Sequence, residues 1–237
     1  MLHPSEFSKL TEADCIRIQE ELAGQVVQHG PLTLETIRSA AGVDLAYWRE
    51  GERERAVCCI VVVDVPSRTV AEKRWAVGDV TVPYIPGCLA FRELPLVLET
   101  AAQLECWPDV FVFDGNGILH PRAMGLATHA SFYLKTPTVG MAKTRFRVDG
   151  EAGTMPALSA GSWSDITKDG KTLGRAVRTH EAVKPVFVSV GNWIDLDTAT
   201  ALALALTDKD SRIPIPTRYA DLETHLQRTA CRSAELY

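Results

Sequence analysis

The sequence predicts an α/β layer fold, a mixed sheet built from an antiparallel three-strand meander plus parallel strands and flanked by helices. Three observations point there. Three apolar, β-branched stretches between residues 43 and 77 are separated only by short turns, the pattern of a meander. Beyond them, helical and strand periodicities alternate along the chain. Finally, Val110–Phe113 (Val-Phe-Val-Phe) is short and wholly apolar, which is how a strand buried on both faces reads.

Taken in order, residues 8–29 predict a helix, because Thr11 to Asp14 has capping-box spacing and Ile18, Leu22 and Val26 recur at helical spacing. Strands are expected at Val43–Tyr47, Val57–Val65 and, after the turn Pro66-Ser67-Arg68, Thr69–Val77. A loop from Gly78 to Gly87 follows. Leu89–Cys106 then predicts a helix burying Leu94, Val97, Leu98, Ala101 and Leu104. Pro95 fits a helix only in its first turn, which puts the expected start near Glu93. After the strand Val110–Phe113, a helix from about Arg122 to Tyr133 and a strand at Thr138–Ala142 are expected. From Arg147 to Ala176 Gly, Ser and Asp accumulate, so an irregular excursion, or a hairpin, is expected there. A sixth strand is expected at Val186–Val190, with helices at Leu196–Leu206, opened by Asp195 or Asp197, and at Tyr219–Ala230. There is no internal repeat, and residues 1–237 are expected to form one domain.

Composition sets the bounds. A chain of 237 residues can bury a full core, and its 23% charged and 46% hydrophobic fractions are those of an ordinary soluble protein. No apolar run reaches membrane-spanning length, and the N-terminus lacks the order of a signal peptide, so no membrane partner is expected. The six cysteines form no Cys-x-x-Cys pair, which suggests neither zinc nor a disulfide framework. The expectation is a cytoplasmic monomer. Net charge −5 argues against nucleic acid as a partner, yet Lys143, Arg145 and Arg147 cluster locally, as do Lys168, Lys171, Arg175 and Arg178. An acidic total can coexist with a basic groove.

The chemistry centres on Asp114, which ends the buried strand and precedes Gly115 and Gly117. A carboxylate at the carboxyl end of such a strand holds a ligand or metal, or else it caps the next helix or forms an Asx-turn. The stretch alone allows each reading. In a sheet of this order the first and fourth strands can lie side by side, making Asp44 and Asp114 neighbours with Glu93 above them. Carboxylates held close repel unless a cation neutralises them, and hard oxygen ligands suit Mg²⁺ or Mn²⁺. Such a centre activates water and stabilises a phosphodiester transition state, singly or as two metals about 3.5–4 Å apart. Spacing alone also leaves open Asp44 in a turn and Glu93 on a solvated helix face.

Two longer motifs carry a resemblance. Pro83-Tyr84-Ile85-Pro86-Gly87-Cys88-Leu89-Ala90-Phe91-Arg92-Glu93 resembles one signature of the endonuclease V family, the deoxyinosine-specific nucleases, and Asp114 through His129 resembles the second. Gly42-Val43-Asp44, Val139 to Lys143, Ser189-Val190-Gly191 and Asp197-Thr198-Ala199 extend the likeness over nearly the whole chain. The resemblance implies a ribonuclease H-like fold. It also implies Mg²⁺-dependent cleavage, with Mn²⁺ able to substitute, of the second phosphodiester bond 3′ to a deaminated purine, leaving 3′-hydroxyl and 5′-phosphate ends. Carried over by position, Asp44 and Asp114 are metal ligands, Glu93 is a catalytic carboxylate and Lys143 is the lysine near the scissile phosphate. Asp221 matches a position where the family has an acid or histidine near the metals.

The same likeness makes Tyr84 the wedge in a loop stiffened by Pro83 and Pro86, with Ile85 as its apolar neighbour. Gly87, Gly115 and Gly117 are expected to let main-chain groups approach the flipped hypoxanthine, whose missing exocyclic amine a tight pocket can reward. Leu89 and Ile118 are expected on the faces of the base, although plain core residues would read identically. His120 and Arg122 are expected to contact phosphate or a metal-bound water. Gly191-Asn192-Trp193 departs from the family, where a glycine precedes a histidine and a basic residue. The expected partner is inosine-containing DNA. The alternatives are a ribonuclease cutting inosine-containing RNA and a non-cleaving binder of damaged nucleic acid; clustered acids, which repel phosphate, speak against the last.

Overall fold

The first strand, β1 (Ser39–Glu50), pairs antiparallel with β2 (Arg53–Asp64), and β2 with β3 (Thr69–Asp79), giving the expected meander with longer strands than the apolar runs alone suggest. The computed structural model describes residues 2–234. β4 (Val110–Phe113) lies parallel to β1 with Val43 opposite Phe113, so the next residues on the two strands are Asp44 and Asp114. β5 (Thr138–Ala142) continues parallel to β4, and β8 (Val186–Asn192) returns antiparallel to β5.

The stretch expected to be an irregular excursion or a hairpin contains a hairpin, β6 (Trp163–Lys168) pairing antiparallel with β7 (Lys171–Val177). The sheet therefore has eight strands, in the order β3-β2-β1-β4-β5-β8-β7-β6, where the apolar runs predict six. The edge strand β6 buries only Ile166, so its remaining residues are polar or exposed and no apolar run betrays it.

The helices are α1 (Glu12–Ala23), α2 (Leu89–Ala101), α3 (Leu126–Leu134), α4 (Leu196–Ala205) and α5 (Ile215–Ala234). Helix α1 opens on the Thr11–Asp14 capping box but ends at Ala23, short of the expected residue 29, and a 3-10 turn over Pro4–Lys9 precedes it. Pro95 lies inside α2 rather than in its first turn. The turn before it, with Ala90, Phe91 and Leu94 buried, is held by packing that offsets the missing N–H bond. Helix α3 starts at Leu126, later than Arg122, because Ala123 has a left-handed φ of 52° and Gly125 takes the N-cap. Asp114 is thus not the cap of this helix.

Apolar packing lies on both faces of the sheet. Phe91, Leu94, Phe111 and Phe113 join α2 and α3 to one face; Val112, Val139, Val188 and Leu202 join α4 to the other. Helix α5 crosses β1 so closely that a Cβ at Gly42 would collide with the Pro216 carbonyl. That contact brings the first turns of α5 over Asp44. Among the described residues no helix is long and apolar enough to cross a membrane.

Candidate active site

Four of the expected catalytic residues meet where the parallel strands end. Asp114 extends the sheet by one bond, its N–H donating to the Val43 carbonyl at 3.2 Å. The Lys143 ammonium, just past β5, stands 2.7 Å from Asp114 Oδ2 and 3.1 Å from Asp221 Oδ1 on α5. Asp44 is mostly buried beside them. Burial first, then the charge of Asp114, push its carboxyl up to about 8, with Lys143 pulling the other way. Burial works to lower the Lys143 pKa, but hydrogen bonds and charge from Asp114 and Asp221 hold it above its ordinary value.

Glu93 completes the group from α2. Its Oε1 accepts a hydrogen bond of 2.6 Å from the Tyr47 hydroxyl, and burial lifts its carboxyl to about 7 against that bond. The Arg92 guanidinium lies 5.0 Å over the Tyr47 ring and also pairs with Glu54, so the Tyr47–Glu93 bond has little freedom. Among the described residues no three His, Cys, Asp or Glu side chains are gathered closely enough to hold a metal. The acids are arranged around Lys143 instead. Even so, the donor set fits a hard divalent cation: Asp44 and Asp114 offer only carboxylate oxygens, and the raised Asp44 pKa marks a site short of positive charge.

A narrow cleft of about 110 Å³ adjoins this cluster, and Tyr84, Gly87, Leu89, Gly115 and His120 line it. Tyr84 is 68% exposed at its mouth. Three donors converge on the Gly87 carbonyl: Gln19 Nε2 at 2.9 Å, His120 Nε2 at 3.0 Å and an Arg122 Nη2 at 2.8 Å. Because a carbonyl only accepts, His120 carries its proton on Nε2, and its Nδ1 accepts from the Arg122 and Met124 amides. Burial, then Arg122, lower the His120 pKa to about 4, so the ring is neutral. Gly87 sits at φ 76°, and a Cβ there would come within 2.8 Å of the Arg122 guanidinium.

Other expected binding residues stand elsewhere. Arg122 braces the cleft from behind, where its Nε donates to Gln19 Oε1 at 2.7 Å. Gly117 packs on β8, since a Cβ would strike the Val190 carbonyl, and Ile118, 3% exposed, belongs to the core beneath. Pro83, Ile85 and Pro86 shape the Tyr84 loop without lining the cleft, and Ile85 packs against the core. The second motif ends at His129, which is fully buried, held neutral with a pKa lowered to about 3 by burial, and edge-on to Phe91. Sequence reasoning missed Gln19, Tyr47, Asn116 and Phe146. Phe146, stacked on His120 at 6.1 Å, borders both the cleft and the groove that holds Asp114 and Lys143. The signal for Gln19 was present: it shares the buried face of α1 with Cys15 and Leu22.

Comparison with known proteins gives this geometry a lineage. The profile of the Endonuclease V family matches residues 20–222. The chain belongs to the endonuclease V family. It is 46% identical over 224 residues to endonuclease V of Bacillus subtilis, covering 94% of each chain. The crystal structure of a Bacillus subtilis endonuclease V superposes with a TM-score of 0.93 at 45% identity, covering 96% of both chains. Endonuclease V of Ciona intestinalis, solved in complex with a 24mer DNA containing an inosine followed by a ribo-adenosine, superposes with a TM-score of 0.81 at 25% identity, covering 92% of this chain and 98% of that one. The ribonuclease H-like expectation holds, and the protein is an endonuclease of the endonuclease V type.

Two further features of the structure bear on contact with a nucleic acid. Asn192 is fully buried at the end of β8, accepting from the Val27 and Trp193 amides and donating to Ser131 Oγ. The Asn192-Trp193 departure therefore ties the segment after α1 to the sheet, at the end opposite Lys143. The basic clusters are also more internal than the sequence suggests. Arg178 is 5% exposed and bonds to the carbonyls of Pro156, Ala157 and Val183, while Arg175 pairs with Asp165 and Asp197.

Proposed function

We propose that the protein is a metal-dependent repair endonuclease that recognises deoxyinosine and hydrolyses the second phosphodiester bond 3′ to it, leaving 3′-hydroxyl and 5′-phosphate ends. The observation that carries this reading is a shared loop. Gly115 and Asn116, directly after Asp114, border both the acid–lysine groove and the aromatic-walled cleft, so one turn of chain couples reaction and recognition. Membership of the family supports it, and six cysteines without a Cys-x-x-Cys pair suit a reducing cytoplasm, where the chain would act as a monomer.

Asp44 and Asp114 would hold the cation, Mg²⁺ with Mn²⁺ as substitute, and when bound it supplies water activation and charge for the phosphodiester transition state. The protein's own groups do the rest. The Lys143 ammonium offsets charge on a non-bridging phosphate oxygen, and Asp221 keeps it oriented. Glu93 has one oxygen engaged by Tyr47, and the other is free to take a proton from the attacking water, with a pKa near 7 suited to that task. Tyr84 fills the gap left by the extruded base. The neutral His120 offers a ring face without a charge, and the backbone at Gly87 and Gly115 meets the edge of hypoxanthine, which lacks guanine's exocyclic amine.

The test is a side-by-side nicking assay, with Mg²⁺, of matched DNA and RNA strands each bearing one inosine. A nick one bond beyond the first 3′ phosphodiester in DNA is expected, with ligatable ends; an intact DNA strand would sink the proposal. The ribo-adenosine in the Ciona intestinalis complex is the reason to include RNA. Faster cutting of RNA would assign the site to inosine-containing RNA instead.

A further inference from the structure

Gln19 lies outside both long motifs and precedes the segment matched by the family profile, yet it is 1% exposed and every polar atom of its amide is engaged. Its Nε2 donates to two carbonyls, Gly87 O at 2.9 Å and Met124 O at 3.2 Å. Its Oε1 accepts from Arg122 Nε at 2.7 Å. Carbonyls only accept and guanidinium only donates, so the amide has one workable orientation. The two carbonyls belong to different walls of the cleft. Gly87 closes the Tyr84 loop, and Met124 sits in the turn between β4 and α3; both line the cleft.

We propose that Gln19 is a positioning residue for base discrimination, a side chain from α1 that fastens the two walls of the cleft at a fixed separation from behind. The inference rests on reading the cleft as the base pocket. A pocket rejects guanine only if its walls cannot yield to an added amine, and backbone walls are held by their hydrogen bonds. Arg122 also holds Gly87, and His120 bridges Gly87 to the Met124 amide at 3.4 Å; Gln19 adds the shorter bond to the Met124 carbonyl and, through Oε1, fixes Arg122 in place.

A glutamate in place of Gln19 is nearly isosteric and keeps the acceptor facing Arg122. It removes both N–H donors and turns an acceptor toward two carbonyls. The experiment measures metal-free binding of the full chain to two duplexes that differ only in deoxyinosine or deoxyguanosine at one position. Wild type should prefer the inosine duplex; no preference would overturn the reading of the cleft itself, independently of Gln19. Gln19→Glu and Gln19→Met should each lose about tenfold of that preference at pH 8, the scale of one unmade buried hydrogen bond, chiefly because the guanosine duplex binds more tightly once the walls can yield. At low pH the carboxyl introduced by Gln19→Glu takes up a proton and regains one donor. That variant, but not Gln19→Met, should then recover part of the preference. Undiminished preference in both folded variants would overturn the proposal. So would a proportional loss on both duplexes, or a failure of both variants to fold, because Gln19 would then serve the fold alone.

Discussion

The acid cluster and the collar of the cleft share one loop but are built on opposite electrostatic terms. In the cluster, Asp44 sits buried beside Asp114 and its proton is held up to about 8, while Lys143 has to answer two carboxylates at once. In the collar, the Gly87 carbonyl has three donors, His120 is neutral with both nitrogens bonded, and Gln19 has no open valence. The first region is unsatisfied in the absence of added positive charge; in the second, the side chains that hold Gly87 are paired before any base arrives. Reaction sites keep unpaired charge to meet charge that comes later, whereas discrimination needs walls that are already fixed.

The comparison breaks most visibly if the acids are removed. Asp44→Ala and Asp114→Ala should each lower Mg²⁺-dependent nicking by about a thousandfold or more, in the range expected for lost transition-state charge stabilisation. Circular dichroism should be unchanged and inosine-DNA binding should survive, because an acid repelling phosphate has been deleted. Near wild-type nicking by either folded variant would remove it from the metal site.

A stability measurement sharpens the same contrast without any catalysis. The folded pKa of Asp44, about 8, lies above its ordinary 3.8, so the fold holds this proton more tightly than the unfolded chain does. The stability linked to it is complete below about pH 4 and is lost as pH climbs through 8. The melting temperature of metal-free Asp44→Asn, minus that of wild type, should therefore grow from pH 4 to pH 8 and level off above. Saturating Mg²⁺ should shrink the gap at high pH. A pH-independent difference would mean that Asp44 carries no such burden.

Much of the acid cluster was legible in the sequence, and little of the collar. Strand runs are long-range signals, so the pairing of Val43 with Phe113, and hence the approach of Asp44 to Asp114, follows from ordering the apolar stretches. Two polar features were harder to read. β6 has only Ile166 to bury, and Gln19 is a polar residue on the buried face of α1 whose partner carbonyls, Gly87 and Met124, lie far away in sequence. Ile118 and Gly117 erred the other way: motif position suggested ligand contact where β8 supplies the neighbour.

Tyr84 gives a smaller effect, confined to the recognition side. With its ring largely in solvent at the cleft mouth, Tyr84→Ala should weaken binding of paired inosine by about 1–3 kcal/mol, the scale of a base–aromatic stack. The loss should shrink for inosine in a mismatch or single strand, where little pairing must be broken, and the Mg²⁺ requirement should not move. Equal losses on paired and single-stranded inosine would refute the wedge.

The smallest effect separates free charge from charge already spent. A phosphate contact releases counterions only if the cation is not committed elsewhere, so binding should weaken with salt in proportion to the uncommitted residues. Arg147 is exposed on the loop that follows Lys143 and Phe146, whereas Arg175 is held by Asp165 at 2.9 Å and Asp197 at 2.5 Å. Arg147→Gln should reduce the slope of log affinity against log salt by about one. Arg175→Gln should leave the slope unchanged, because its charge is matched within the protein. A salt titration of both variants against wild type decides the matter. If Arg175→Gln flattens the slope as much as Arg147→Gln does, the ion pairs of Arg175 open onto the backbone of the DNA, and the β6–β7 hairpin belongs to the binding surface.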